Sequence, residues 1–388
     1  MPRDDQLVFR GNFQLRPKFW MLKSLTISNF RNFDRIKTEL DSHVNVLVGS
    51  NGHGKTNFLE AVYYLSLLRS FRTNQISDLR QWKKDFFRLE CECTQSGMPS
   101  RHLSVTYGNE RRLQVNGTNI YRTSDFINQF ICVTFIPQDK DLIRGSEVLR
   151  RRFMDISLSQ MSTGYLRNLQ SYTEALRARN AMLKDRVKYT DSTIKAYDHV
   201  LVKSGVAVEM ERREFMEKLN SSLFEKSSLL FSPDLILSVR YLSGIGSLLQ
   251  VSYDDAEQME EKFRMALRKN YERDCRKGFT HCGPHRAEMT CLLNLHSLLH
   301  FGSEGDCRMA SIASKFASLN VLRQTLNCDD STLLIDDVTG ELDTTRQDNF
   351  YRELLSGGQI IYAGTFLPEA FRGKGRVFNV KSGMIASL

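Results

Sequence analysis

A glycine-rich loop that ends in lysine and threonine lies near the start of the chain, and its residue types suit the binding of phosphate groups. Its glycines let backbone N–H groups approach phosphate oxygens, Lys55 can reach a β- and a γ-phosphate, and Thr56 can ligate Mg²⁺. Val44–Val48 before the loop has the pattern of a buried strand, and apolar residues recur at helical spacing after it. The pattern predicts a nucleoside triphosphate site rather than a simple glycine-rich turn. The loop consists of Gly49, Ser50, Asn51, Gly52, His53, Gly54, Lys55 and Thr56.

A second apolar run, Thr332–Asp337, ends in two acids. A buried strand that delivers carboxylates to the phosphate end of a sheet has this form. Asp336 would hold Mg²⁺ through water, and Asp337, one residue further on, would polarise the water that attacks the γ-phosphate. Taken alone, the same pattern is more often the end of an ordinary strand, so the prediction depends on its pairing with the glycine-rich loop.

A third motif has the form Ser-x-Gly and precedes a helical pattern over 309–322. It resembles the signature that ABC-type ATPases place at a helix N-terminus, where Ser303, Gly305 and Arg308 would face the γ-phosphate held by a second subunit. Taken alone, these residues also fit a glycine-rich loop in which Ser303 caps the helix. The order of the motifs favours the signature, because the P-loop, the Ser-x-Gly motif and the acidic strand are followed by a D-loop of Glu341, Leu342 and Asp343.

The arrangement of strand and helix patterns, with the order of the motifs, predicts an α/β fold: an ABC-type ATPase head with a P-loop, built from both ends of the chain, plus a helical insertion domain. Strand patterns flank a proline-free region of long helical periodicity that begins near residue 147. The expected division is a disordered or over-called extension over 1–20, the N-terminal part of the head over 21–146, a helical arm over 147–275 and the C-terminal part of the head over 276–388.

Composition gives weaker indications about partners and compartment. The 388-residue chain has a formal net charge of +9, which favours an anionic partner such as nucleic acid. Its eight cysteines form no C-x-x-C pair and indicate reduced thiols in a cytoplasmic protein. No apolar stretch is long enough for a membrane span, so no membrane partner is expected. The spacing of His281, Cys282, His285 and Cys291 fits no usual zinc finger or ribbon.

Several separate motifs together resemble the DNA-repair branch of the SMC/Rad50-like ABC ATPases. In that family a glutamine after a short strand senses Mg²⁺ and the γ-phosphate, and Gln138 is the residue in that place. The short helical region fits the branch, because SMC and Rad50 proteins place hundreds of coiled-coil residues between their half-sites. The stretches that carry the resemblance are Leu25–Phe33, the P-loop with its helix, Ser70–Thr73, Arg150–Asp155, Arg179–Lys184, Gly283–Arg286 and the Asp336–Asp343 region.

The resemblance implies an ATP-dependent DNA-binding protein of recombinational repair and replication, connected with the SOS response. It implies ATP and Mg²⁺ as cofactors, an ATP-dependent homodimer, a slow DNA-dependent ATPase activity and binding to single-stranded and gapped or junction double-stranded DNA. Other recombination mediator proteins are the implied partners in recombinase loading. The consecutive arginines Arg150, Arg151 and Arg152 are candidate phosphate contacts, or else an exposed helix face paired with acids.

Two positions depart from the family pattern. Asp306 stands where a glutamine is usual, and Gly340 stands where a small hydroxyl residue is frequent. Both positions put ATP-driven dimerisation and turnover in doubt. The carboxylate of Asp306 would repel the triphosphate that is bound by the partner subunit. Asp306 therefore keeps a non-hydrolysing DNA scaffold as an alternative function, and a nucleotide-binding subunit of a transporter is a second alternative. The Asp-Asp pair and the helical insertion argue against the transporter subunit.

Overall fold

The computed structural model describes residues 21–94, 99–185, 189, 191–230, 235–246, 255–327, 331–338, 340 and 342–388. The extension predicted for 1–20 lies outside these residues. The strands are β1 Met21–Phe30, β2 Phe33–Glu39, β3 Val44–Val48, β4 Phe87–Thr94, β5 Arg101–Tyr107, β6 Arg111–Val115, β7 Thr118–Ile120, β8 Cys132–Phe135, β9 Leu237–Leu242, β10 Glu288–Leu293, β11 His296–Ser297, β12 Thr332–Asp336, β13 Gln359–Gly364, β14 Gly375–Lys381 and β15 Met384–Ser387. The helices are α1 Lys55–Leu67, α2 Thr123–Ile127, α3 Asp141–Arg144, α4 Glu147–Met161, α5 Thr163–Lys184, α6 Ser192–Leu230, α7 Ala256–Lys277, α8 Leu298–Phe301, α9 Glu304–Leu326 and α10 Thr344–Leu354.

A mostly parallel sheet at the centre of the molecule joins the two ends of the chain. Its strand order is β15-β14-β3-β13-β12-β8, and only β15 is antiparallel to its neighbour. Side chains alternate along β12, so that Leu333 and Ile335 enter one core with α6, α9 and α10 while Leu334 enters another core with α1. Because both faces are covered, these strands are short continuous apolar runs. The predicted α/β fold class is confirmed.

A second, antiparallel sheet has the order β2-β1-β4-β5-β6-β7 and packs one face against α1. Buried residues such as Ile27, Leu89 and Val105 alternate with more exposed polar ones, which is the period-two pattern of a sheet covered on one side. The turn between β6 and β7 has positive φ at both Asn116 and Gly117, 49° and 79°, as a type I′ turn requires.

The region predicted as a helical arm contains α4 to α7 together with β9, a strand that the helical pattern did not reveal. β9 pairs with β10 in a three-stranded sheet with β11, so the predicted boundary at 275 separates two strands of one sheet. The 39-residue α6 packs on α5 and on α9, which ties the arm to the C-terminal part of the head. Within the described residues, no helix is long and apolar enough to cross a membrane.

A buried ionic network holds the outer end of the arm together. The side chain of Arg179 on α5 is fully buried, and it donates to Asp198 on α6 at 2.7 Å, to Asp274 on α7 at 2.9 Å and to Thr280 at 2.7 Å. Burial raises the pKa of the Asp198 carboxyl and opposes the effect of Arg179. The guanidinium therefore serves as the common partner of two carboxylates that α6 and α7 bring into the interior.

We expect Arg179→Ala to destabilise the protein by about 3–5 kcal/mol, because the substitution leaves two buried carboxylates without their cation. Arg177→Ala on the exposed face of the same helix is the matched control, with an expected change within about 0.5 kcal/mol. Denaturant unfolding followed by circular dichroism measures both. Equal stabilities of the two variants would contradict a structural role for the network.

Candidate functional site

The predicted P-loop connects β3 to α1 and is held in shape by its glycines and by Asn32. Gly52 and Gly54 have φ of +80° and +116°, which side-chain-bearing residues rarely adopt. A Cβ on Gly54 would lie 2.6 Å from Nδ2 of Asn32. That Nδ2 donates to the carbonyl of His53 at 3.0 Å, and Asn57 donates to Oδ1 of Asn32 at 2.8 Å. Asn32 thus fastens the loop to the first turn of α1.

Lys55 lies across the loop with its ammonium group close to two backbone carbonyls. Nζ donates to the carbonyl of Gly49 at 2.6 Å and to that of Ser50 at 2.9 Å. Burial lowers the pKa of Lys55, while the negative charges of Asp336 and Asp337 act in the opposite direction. The ammonium group is therefore partly desolvated, and a charged phosphate oxygen would be a stronger partner for it than these neutral carbonyls.

Thr56 and Asp336 come together although 280 residues separate them in the sequence. The Thr56 hydroxyl donates to both carboxylate oxygens of Asp336, at 2.9 Å and 3.0 Å. β13 lies between β3 and β12, so the P-loop and the end of β12 share one edge of the parallel sheet. Burial raises the pKa of Asp336, and the hydrogen bond from Thr56 partly offsets this. A hydroxyl and a carboxylate at this separation are hard oxygen donors that fit Mg²⁺.

Asp337 follows the end of β12, close enough to Lys55 and Asp336 for its charge to act on both. Its φ is +45°, its N–H donates to the carbonyl of Ala363 at 3.0 Å, and its side chain is exposed. It lines a concavity together with Arg308, Ser311 and Gly340. Asp336 is half-buried and Asp337 is exposed, and their separate roles stay a prediction.

Gln138 is exposed in a 3-10 turn, Pro137–Lys140, directly after β8. The next residue ties this turn to the helix of the Ser-x-Gly motif, because Asp139 pairs with Lys315 of α9 at 2.6 Å. The Ser311 hydroxyl donates to the Asp139 carbonyl at 2.5 Å. β8 is parallel to β12, so Gln138 lies at the same edge of the sheet as Asp336. Whether it binds Mg²⁺ stays a prediction.

The helix of the Ser-x-Gly motif begins earlier than we expected. The sequence pattern predicted a start near Met309, whereas α9 begins at Glu304 and includes Gly305 and Arg308 in its first turns. Ser303 is the N-cap, and Asp306 completes a capping box by accepting from the Ser303 N–H at 3.0 Å and from its hydroxyl at 2.7 Å. The carboxylate that departs from the family pattern therefore binds the signature serine itself.

The D-loop residues lie next to this edge. Glu341 is outside the described residues. Leu342 is half-buried against the core that includes α10. The Asp343 side chain caps α10 by accepting a hydrogen bond from the Arg346 N–H at 2.9 Å. A Cβ at Gly340 would meet no atom within 4 Å, so space alone does not require glycine there.

The prediction of a DNA contact by Arg150 is wrong, because its side chain is only 8% exposed and fully engaged. It pairs with Glu288 at 2.5 Å and donates to the carbonyl of Gly145 at 2.7 Å. Arg151 donates to the Ala287 carbonyl at 2.7 Å, and Arg152 donates to the Ser70 carbonyl at 2.8 Å. All three guanidinium groups make contacts within the fold, since α4 is packed against β10 and the loop after α1.

Sequence reasoning missed a buried acid on α1 that anchors the loops around the nucleotide site. The Glu60 side chain is fully buried, and Arg31 donates to both of its oxygens at 2.8 Å. The Ser70 hydroxyl donates to Glu60 at 2.5 Å, and the Arg72 guanidinium lies 3.7 Å from it. An acid inside an otherwise apolar helical run is the signal that could have revealed this position.

The residues considered for zinc have other roles. His281 lies 2.8 Å from Asp274, and His285 lies between the hydroxyl of Tyr172 at 2.5 Å and the carbonyl of Thr280 at 3.0 Å. Burial lowers the pKa of His285 to about 4, so its ring is neutral at pH 7. Both histidines thus belong to the polar interior of the arm.

Comparison with known proteins agrees with this geometry. The family described as the RecF/RecN/SMC N-terminal domain matches residues 21–361. The DNA replication and repair protein RecF of Clostridium tetani is 33% identical over 328 residues, which cover 84% of this chain and 88% of that protein. RecF of Clostridium acetobutylicum is 30% identical over 374 residues, which cover 94% and 99%.

A solved structure of the recombination mediator protein RecF-ATPrS in the RecFOR pathway is 26% identical, with a TM-score of 0.86. The match covers 96% of this chain and 99% of that one. The resemblance drawn from the motifs is confirmed. With its ABC-type ATPase head and matches along nearly all of its length, this chain belongs to the RecF family of DNA replication and repair proteins.

Proposed function

We propose that this protein binds ATP and Mg²⁺ at the edge of the parallel sheet and uses them to control DNA binding in recombinational repair and replication. The contact between the Thr56 hydroxyl and the Asp336 carboxylate carries this proposal, because it joins a P-loop to an acidic strand end. Lys55 would bind the β- and γ-phosphates, and Thr56, Asp336 and Gln138 would hold Mg²⁺. The metal, when bound, neutralises charge on the phosphates. Asp337 would orient the attacking water in a slow hydrolysis.

The active form in this proposal is an ATP-dependent homodimer. Ser303, Gly305 and Arg308 lie at the start of α9, and a helix N-terminus attracts anions. Arg308 and Asp337 line one concavity, so the signature and the end of the acidic strand lie near each other on one side of the head. A second copy that presents the same elements would complete each ATP site in trans.

DNA and other recombination mediator proteins are the proposed partners, with single-stranded and gapped or junction DNA as the substrate class. The names of the relatives support this, and so does the net charge of +9. A cytoplasmic location and a connection with the SOS response belong to the same proposal.

A non-hydrolysing DNA scaffold is the second candidate function, and one observation favours it. The Ser303 hydroxyl donates to Asp306, whereas in an active signature it would be directed at the partner's γ-phosphate. A carboxylate in this place also adds like-charge repulsion to closure. Measurement of ATP hydrolysis by the protein with gapped DNA distinguishes the scaffold from the slow ATPase.

Lys55→Ala should weaken ATP binding about 10- to 150-fold, because it removes the side-chain cation directed at the phosphates. ATP should consequently no longer strengthen binding to gapped DNA. Sedimentation with ATP and labelled gapped DNA measures both effects, and Lys374→Ala, at an exposed lysine remote from the loop, is the control. A folded Lys55→Ala protein with unchanged ATP affinity would refute the nucleotide site.

The two adjacent acids should have separable effects. Asp337→Asn should keep ATP and Mg²⁺ bound and slow hydrolysis about 100-fold or more, since the water loses its acceptor. Asp336→Asn should weaken Mg²⁺-dependent ATP binding itself, because it removes a charged oxygen donor. Calorimetric titration measures Mg²⁺-dependent ATP binding, and single-turnover experiments measure the rate of hydrolysis. Normal hydrolysis by both variants would mean that the catalytic carboxylate is another residue.

Asp306→Asn should tighten the ATP-dependent dimer and leave the ATP affinity of the monomer nearly constant. The substitution removes a negative charge beside the signature and weakens the hold on the Ser303 hydroxyl. Weakening of the capping box should also cost about 1 kcal/mol of stability. Sedimentation in the presence of ATP, in an Asp337→Asn background, compares the dimers. An unchanged dimer with a lowered melting temperature would mean that Asp306 acts only as a cap.

A further inference from the structure

The antiparallel sheet carries a row of arginines on the face that does not pack against α1. The strand register aligns Arg35 of β2, Ser28 of β1, Arg88 of β4, Thr106 of β5 and Arg112 of β6. Neighbouring strands lie about 4.8 Å apart, so the arginines, on every second strand, are about 10 Å from one another. We call Arg35, Arg88 and Arg112 the arginine row.

An exposed indole lies beside one end of this row. Trp82 is 90% exposed, on the segment that enters β4. The Gln81 N–H donates to the Asn29 carbonyl at 2.8 Å, and Lys84 pairs with Asp34 at 3.2 Å. These contacts hold the segment against β1 and β2, next to Arg35. A single exposed aromatic side chain is ordinary on a protein surface, but one held next to a basic row is the combination that binds unpaired nucleotides.

The charged side chains around Trp82 are mostly basic, and they have either no acidic partner or an exposed one. Trp82 lines an open concavity that also includes Arg80, Lys83 and Lys84. Among the side chains that the structure describes, Arg35, Lys83 and Arg112 have no acidic partner. Lys84 and Arg88 pair with exposed acids, and exposed ion pairs are weak enough for phosphate to compete. Asp78 and Asp85 are the remaining acids of the segment.

We propose that this surface binds single-stranded DNA, with a base stacked on Trp82 and the phosphates following the arginine row. The inference deepens the proposed function and rests on it, because it assigns the surface and the form of the DNA. Single strands fit better than a duplex, since the indole can stack only on a base whose face is free. The arginine row supplies attraction without base preference.

Fluorescence of Trp82 provides a direct test. The chain has two tryptophans, so Trp20→Phe leaves Trp82 as the only tryptophan, which excitation beyond the tyrosine absorption band selects. Titration with an oligothymidylate at low salt should quench this emission, because the base stacks on the ring, and a blunt duplex of the same length should quench it much less. A full-length protein that binds the oligonucleotide without a change in Trp82 emission would overturn the stacking.

Matched variants separate stacking from charge. Trp82→Ala should lose about tenfold in affinity for the oligothymidylate and little for the duplex, with Trp82→Phe in between. Phe224→Ala, at a 63% exposed aromatic on α6, should bind like the wild type. Arg35→Ser and Arg112→Ser should each reduce the slope of log affinity against log salt concentration by about 0.7.

The outcomes distinguish this inference from the proposed function. Equal losses on single strands and on duplex in Trp82→Ala would overturn the preference for single strands. Unchanged affinities in Trp82→Ala, Arg35→Ser and Arg112→Ser, with a wild type that binds DNA, would overturn the surface and leave the proposed function in place. A wild type that binds no DNA at low salt, with or without ATP, would overturn both. Circular dichroism melts of the variants exclude loss of folding as the cause.

Discussion

The hydrogen bonds from the Thr56 hydroxyl to Asp336 are the contact on which the site depends, and the sheet makes them possible. Parallel strands end at one edge, and β13 sets the distance between the P-loop after β3 and the carboxylate at the end of β12. This geometry removes the Asp336 carboxylate from water. Burial raises the pKa of Asp336, because its contacts with Thr56 and Lys55 do not fully replace the lost hydration. A bound cation would therefore stabilise the Asp336 carboxylate, and a bound triphosphate would stabilise the partly desolvated Lys55 ammonium group.

A second layer of contacts keeps this edge in shape before any ligand is bound. Asn32, on the turn between β1 and β2, fixes the carbonyl of His53 and excludes a side chain at Gly54. The same turn supplies Arg31, whose two hydrogen bonds to the buried Glu60 fasten it to α1. The antiparallel sheet is thus attached to the nucleotide loop through one turn. This turn also adjoins the segment that carries Trp82, so the DNA surface we propose is structurally continuous with the ATP site.

Sequence reasoning predicted the parts of the fold that local patterns determine. The strands β3 and β12 and the P-loop follow from short apolar runs and glycine spacing, and the structure places the Thr56 hydroxyl against the Asp336 carboxylate. Sequence reasoning failed where contacts between residues far apart in the sequence determine the position of a side chain. Nothing in the arginine triplet shows that α4 will place Arg150 against Glu288 of β10. The start of α9 agrees with the alternative in which Ser303 caps the helix, and the Ser-x-x-Asp spacing over 303–306 is the local capping-box signal that favours this alternative.

The packing of α9 implies that the signature and the turn with Gln138 move together. Most of α9 is buried on all sides, and its Lys315 pairs with Asp139 in a largely desolvated contact. Separation of the two would expose apolar surface and leave Asp139, whose pKa burial raises, without its cation. The turn that carries Gln138 and the helix that follows Ser303 are therefore held as one close-packed unit. In the function we propose, sensing of the nucleotide by Gln138 and presentation of the signature to a second subunit would both depend on this packed unit.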